Sequence, residues 1–281
     1  MDLRKLLFDL HIKVHQVHWK IQRRAKYVNE MANIMTELTL QTTAHVVTFH
    51  KCASNWFRRL FRKAAQRRGV SVEVSSPNLS GINKSVDRGS AHTLWMHRIA
   101  SEQRVMEFAT EKAPIVLCIR DPKDLVVSQY FSWKKSHMTN TPTILETRER
   151  LEALSMYDGL KLLIEEDLIP FCKVSRSWSS SIASGQTTVL KYEDMLEQFH
   201  ESLSPALDRL GLSLGPKQLR DLKQEYAFSR MTKRAAKRGL EVNHYRKGKA
   251  GDWRNHFDDE LSTLFNSRYG DVCKMFGYDQ A

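Results

Sequence analysis

The chain of 281 residues has little of what staples or stiffens small proteins. Its four cysteines, Cys52, Cys118, Cys172 and Cys273, lie far apart and form no CxxC pair. That spacing argues against a zinc site and a secreted disulfide framework, and a reducing compartment is the simpler reading. Only 12 glycines and 7 prolines are present, too few for a collagen-like or low-complexity chain. No stretch reaches the ~18 apolar residues of a membrane span. Residues 1–20 mix Arg4, Lys5 and Asp9 with apolar positions, unlike a signal peptide. A cytoplasmic protein with no membrane span is expected. The pattern GxxxxGK[ST] is also missing, which disfavours a kinase or ATPase built on that loop.

What is present in excess is positive charge. Lys and Arg number 44 against 32 Asp and Glu, a net +12, so an anionic partner is expected. Nucleic acid, an acidic membrane surface, a phosphorylated cofactor and a polyanionic substrate all satisfy that charge. No RRM, KH or zinc-finger pattern accompanies it, so a nucleic-acid partner is not the expected one. With 41% hydrophobic residues the chain has enough to bury a core, and one α/β domain over 1–281 is expected.

Residues 1–40 carry apolar positions at helical spacing and read as N-terminal helices. His11, His15 and His18 fall on one helical stripe there, but no carboxylate or cysteine lies near in sequence. A solvated or half-buried helix face explains them better than a metal site. Ala44–Phe49 is a short β-branched run followed by a helical stretch, Ser54–Arg68, that stops at Gly69. Val70–Val74, Pro114–Ile119 and Thr187–Leu190 are further candidate strands, and Ser101–Lys112 a further helix. Strands apolar on both faces that alternate with helices describe a doubly wound parallel sheet with helices on both sides, an α/β fold. Ligands then sit in the loops after Phe49, Ile119 and Leu190. The polar stretch Lys134–Arg150 and the basic stretch Arg230–Lys249 read as loops or lids, and Ser175–Ser184 as a surface loop.

Three segments carry chemistry. In Thr48–Trp56, TFHKCASNW, a turn between strand and helix aims backbone N–H groups and a helix N-terminus at one place, and Lys51 adds a full charge. Cys52, Ala53 and Ser54 are small enough for close approach, with Asn55 and Trp56 opening the helix. Arg120–Ser128, RDPKDLVVS, puts an Arg at a strand end and a Ser about two helical turns on, able to converge on one phosphate. An ordinary salt bridge from Arg120 to Asp121 or Asp124 is the plainer alternative. Tyr245–Phe257, YRKGKAGDWRNHF, sets Arg246 and Lys247 beside Gly248, and Gly248 and Gly251 allow backbone angles that other residues avoid.

These segments, in this order, resemble sulfotransferases that use 3'-phosphoadenosine 5'-phosphosulfate (PAPS), whose cytosolic members show T-Y-P-K-S-G-T-x-W and RKGxxGDWKNxF. KYEDM at Lys191–Met195, F-x-x-M at Phe228–Met231 and the closing Gly277–Tyr278 also fit, so the resemblance spans about 44–278. His50, Cys52, Ala53 and Ser54 depart from the family's Pro, Ser, Gly and Thr. The resemblance implies a P-loop-like phosphosulfate loop at Lys51, with Arg120, Ser128, Arg246, Lys247 and Gly248 on the 3'-phosphate. Trp56 and Phe228 would sandwich the adenine, with Tyr192 at its edge, and no metal would be needed. The reaction implied is in-line transfer of a sulfuryl group to a hydroxyl or amine of a small-molecule, glycan or lipid acceptor. The product nucleotide is 3',5'-ADP.

Lys51 would stabilise the leaving phosphate, and a His whose pKa lies near working pH would take the acceptor's proton. His97 has nearly the family's spacing from Arg120, while His92 and His50 are alternatives. Beside Lys51 and a helix N-terminus, the Cys52 thiol pKa is expected to fall. A non-catalytic nucleotide or polyanion binder on the same fold is the other reading, motivated by the departures at His50, Cys52 and Ala53. Acceptor identity and oligomeric state are not written in these motifs.

Overall fold

A computed structural model of the chain describes residues 43–75, 92–107, 109, 113–136, 142–227, 230 and 248–278. The expected N-terminal helices and their three histidines lie outside them. So does the stretch 231–247.

Five strands form one parallel sheet in the order β2-β3-β1-β4-β5: β1 (Thr43–Thr48), β2 (Ser71–Ser75), β3 (Thr93–Arg98), β4 (Ile115–Ile119) and β5 (Thr187–Lys191). Registers Thr48↔Arg98, Thr48↔Cys118 and Cys118↔Leu190 bring the carboxyl ends of β1, β3, β4 and β5 to one edge. The chain leaves β1 toward β2 and β3 on one side, then crosses to β4 and β5 on the other. The switch point, where such sheets bind ligands, therefore lies between β1 and β4.

Helices cover both faces, as the doubly wound expectation requires. In chain order they are α1 (Ser54–Arg67), α2 (Glu102–Met106), α3 (Pro122–Phe131), α4 (Pro142–Ala153), α5 (Met156–Leu162), α6 (Ile169–Arg176), α7 (Ser179–Ala183), α8 (Tyr192–Glu197), α9 (Phe199–Arg209), α10 (Pro216–Glu225) and α11 (Asp259–Met275). Strand alternation splits the core in two. Val46, Leu94, Met96 and Val116 pack on Phe57, Leu60 and Phe61 of α1 and on α9. Val47, Ile115, Leu117 and Ile119 pack on α3, α5 and α11. Gly69 ends α1 at φ 67, a left-handed angle that a side chain would resist.

Two expectations are corrected, and one strand was not anticipated: Thr93–Arg98 forms β3, between β1 and β2. The polar stretch from Pro142 to Arg150 is helix α4, not a loop. The serine-rich segment 175–184 spans α6 and α7 around Trp178, which is wholly buried and donates its indole N–H to Ala100 O at 3.1 Å. A buried Trp with a satisfied N–H fixes that segment to the core.

Candidate active site

β1 ends at Thr48, and the chain then turns tightly, Cys52 N donating to Phe49 O at 3.3 Å. Lys51 at φ 61 and Ala53 at φ 53 both take left-handed backbone, which curls successive N–H groups toward one side. Ala53 caps α1 with no side-chain hydrogen bond, so the first-turn N–H groups beyond it, including those of half-buried Ser54 and exposed Asn55, have no capping side chain. A helix start of this kind attracts an anion. The Lys51 ammonium contacts the hydroxyl of buried Ser132, which opens the π turn Ser132–Ser136 after α3. Burial lowers the Lys51 pKa to about 8.

Cys52 corrects the sequence expectation. Its side chain is completely buried, and burial pushes the thiol up to about 12 against the smaller opposing pull of Arg120. Desolvation of the thiolate outweighs the neighbouring positive charge.

Arg120 leaves β4 next to this loop, one strand away. Its Nη2 donates to Asp124 Oδ2 at 3.2 Å and to Lys249 O at 3.3 Å, and its guanidinium carbon lies 5.0 Å from the centre of the Tyr192 ring. The plain salt bridge to Asp124 is thus present, but it leaves Arg120 Nε buried with no hydrogen-bond partner. A buried guanidinium donor in this condition fits an anionic ligand. Ser128 is half-buried two turns along α3.

Asp124 organises the rest. It is fully buried and also accepts from Gly251 N at 2.8 Å and Trp253 N at 2.9 Å, which fastens the segment after Gly248 to the Arg120 strand exit. Gly248 and Gly251 take φ 63 and 73 there. Asp121 accepts from Trp253 Nε1 at 2.9 Å, and its own N–H donates to Glu193 Oε1 at 3.1 Å. Glu193 Oε2 in turn accepts from the Tyr278 hydroxyl at 2.6 Å. Sequence reading missed Asp124, Glu193, Tyr278 and Ser132 as site supports. The i, i+4 spacing of Arg120 and Asp124 was the available signal for the first.

Trp56 and Tyr192 stand edge to face at 84° with centroids 5.8 Å apart, and Trp56 Nε1 donates to Tyr226 O at 3.0 Å. This aromatic corner lies beside Arg120, whose guanidinium faces the Tyr192 ring. Phe228, Arg246 and Lys247 lie outside the described residues.

The three candidate histidines differ sharply in place. His92 precedes β3 and sits at the amino edge of the sheet, a strand length from Lys51. His97 lies within β3, wholly buried, its Nε2 3.0 Å from His45 Nδ1. Burial, helped by Arg104, lowers its pKa to about 4, so the expected base with a pKa near working pH is not found at His97. His50 is half-buried on the loop itself.

A model of the sulfotransferase domain matches residues 41–277. The chain belongs to the sulfotransferase family. It is an enzyme that moves a sulfuryl group from PAPS to an acceptor. Among relatives, the 3-alpha-hydroxysteroid sulfotransferase of Cavia porcellus is 25% identical over 252 residues, covering 83% of each chain. Sulfotransferase 2A2 of Mus musculus is 26% identical over 260 residues, covering 83% of this chain and 84% of the relative. The fold is similar to that of mouse sulfotransferase SULT7A1 complexed with PAP, with TM-score 0.60, 18% identity and coverage of 84% and 89%. Retinol dehydratase in complex with androsterone and PAP gives TM-score 0.51 at 16% identity, with coverage of 83% and 81%. Among the described residues no helix is long and apolar enough to cross a membrane, and no group of three His, Cys, Asp or Glu gathers as a metal site.

Proposed function

We propose that the sulfotransferase binds PAPS across the β1–β4 switch point and transfers its sulfuryl group to a hydroxyl or amine of a small-molecule acceptor. The observation that carries this reading is the pairing of two anion sites on adjacent strand exits: the uncapped loop with Lys51, and Arg120 with its unpartnered buried Nε beside the Tyr192 ring. PAPS has two anionic ends, and when bound it supplies an activated sulfuryl group on a phosphate leaving group. The Lys51 loop, with Cys52, Ala53, Ser54 and Asn55, takes the phosphosulfate end. Arg120, Ser128 and Gly248 take the 3'-phosphate, joined by Arg246 and Lys247. Trp56 and Phe228 flank the adenine, with Tyr192 at its edge.

Lys51 holds positive charge where negative charge gathers on the leaving oxygen. Its contact with Ser132 parks the ammonium inside the site before it is needed. His50 is the imidazole assigned to take the acceptor's proton, because it shares the Lys51 loop and is half-exposed. The four cysteines are free and buried, which supports a cytoplasmic location.

The reading is tested with sulfur-labelled PAPS and a panel of phenols, alcohols, hydroxysteroids and amines. Label should appear in an acceptor with the native enzyme and fall at least about 100-fold with Lys51→Ala, the scale of losing one transition-state charge contact. His50→Ala should cost more than His97→Gln. Equal turnover by native protein and Lys51→Ala would refute the assignment.

A further inference from the structure

On the β3 side of the phosphosulfate loop lies a second basic group that the donor does not use. Arg98 ends β3 and is exposed, level with Thr48, the last residue of β1. Strand alternation puts Arg98 on the same face as Leu94 and Met96, which pack on α1. Arg58 and Arg62 project from that helix one turn apart. The three guanidiniums lie within electrostatic reach: burial first, then Arg98 and Arg62, lower the Arg58 pKa. Arg58 Nε is buried with no hydrogen-bond partner. Among the described residues no carboxylate pairs with Arg58, Arg62 or Arg98, although six other arginines do pair with carboxylates. Like charges held together without a counterion cost free energy, and an anionic ligand relieves that cost.

The position of this cluster says which ligand. In-line transfer requires attack opposite the leaving oxygen. The donor's nucleoside runs from Lys51 toward Arg120 and Tyr192, over β4 and β5, so the acceptor approaches from the β3 side. At the exit of β3, Ile99 is 39% exposed at φ 51, its N–H bonded to Thr48 O at 2.9 Å. A β-branched residue held in left-handed backbone is rare and is tolerated where surrounding structure fixes it. The turn therefore holds Arg98 beside the loop while presenting an apolar side chain to solvent.

We propose that Arg58, Arg62 and Arg98 form an acceptor subsite for an anionic group, so that the enzyme prefers hydroxyl acceptors that also carry a carboxylate, phosphate or sulfate. In the reaction the acceptor oxygen bonds to sulfur as the bond from sulfur to the 5'-phosphate oxygen breaks. The hydroxyl proton leaves to the base, and the acceptor's own anion stays on the arginines unchanged. The inference rests on the donor placement proposed above.

The test is isothermal titration of protein saturated with 3',5'-ADP, which fills the donor's phosphate sites. The probes are 4-hydroxyphenylacetate and (4-hydroxybenzyl)phosphonate, with 4-ethylphenol as the neutral control. Both anions should bind at least about tenfold tighter than the control, the scale of one charge-assisted hydrogen bond, and less so at high salt. A preference for only one anion would assign the subsite to that chemistry. Arg98→Ala and Arg58→Ala should remove the preference while leaving the control's affinity within about twofold. Each variant's midpoint shift with 3',5'-ADP reports that it is folded. No preference for the anions, no binding of any probe, or a preference that survives Arg98→Ala would overturn the proposal. Failure of native protein to bind 3',5'-ADP would instead remove the donor placement, and this inference with it.

Discussion

Replacing Lys51 with methionine is expected to stabilise the free enzyme while removing its activity. Methionine keeps the length of the lysine stem but carries no charge. In the native protein burial lowers the ammonium pKa from 10.5 to about 8. Each tenfold step in that equilibrium is about 1.4 kcal/mol, so keeping the charge inside costs about 3 kcal/mol at pH 7. The lost hydrogen bond to Ser132 offsets about 1 kcal/mol, leaving a gain of about 2 kcal/mol for Lys51→Met. For a domain of this size that raises the unfolding midpoint by about 4 to 8 °C.

The pH dependence carries the sign. Below pH 8 lysine is protonated in both folded and unfolded chains, and the native protein bears the full penalty. Between about 8 and 10.5 the folded protein has released its proton and the unfolded chain has not, so native stability rises with pH. The advantage of Lys51→Met should therefore shrink across that window. Thermal unfolding at pH 7 and near pH 10 measures it. A variant no more stable than native at pH 7, or an advantage unchanged at high pH, would refute the reasoning.

Other outcomes follow from the same loop and sheet. Ala53→Gly relieves a left-handed alanine at φ 53 and should stabilise the protein by about 1 kcal/mol in urea unfolding. Cys52 should resist iodoacetamide in the folded protein with or without nucleotide, because its thiol is buried with a pKa near 12; mass spectrometry of the native protein checks this. Burial lowers His45 and His97 to about 3 and about 4. The unfolded chain therefore binds more protons below pH 6.5, and stability present above that pH should fall as pH drops toward 4. His97→Gln should flatten that loss.

Much of this site was legible because its parts sit at strand ends. The runs AHVVTF, PIVLCI and TTVL announce β1, β4 and β5 by their continuous apolar character, and each is followed by a loop with a distinctive charge. β3 was not legible. In TLWMHR the alternation of Trp95 and His97 against Leu94 and Met96 reflects two buried faces, and a histidine inside a strand looks like a site residue. It becomes a buried partner of His45 only when the strands are paired. Cys52 failed for a related reason, since sequence shows the neighbouring charge of Lys51 but not the complete burial that outweighs it. Asp124 looked like a simple salt-bridge partner, whereas it also holds two backbone N–H groups from residues more than 120 positions away. Long-range closure of this kind has no local signature.

The central claim is that adjacent exits of β1 and β4 hold the two anionic ends of PAPS. Thermal unfolding with 3',5'-ADP, against 2',5'-ADP and ATP at equal concentration, tests it most directly. At ~100 times its Kd, 3',5'-ADP should stabilise the native state by about 2.7 kcal/mol, a midpoint shift of about 5 to 10 °C. The two control nucleotides should give much less, and Arg120→Ala should abolish the shift. Equal shifts from all three nucleotides, or none from 3',5'-ADP, would contradict the account.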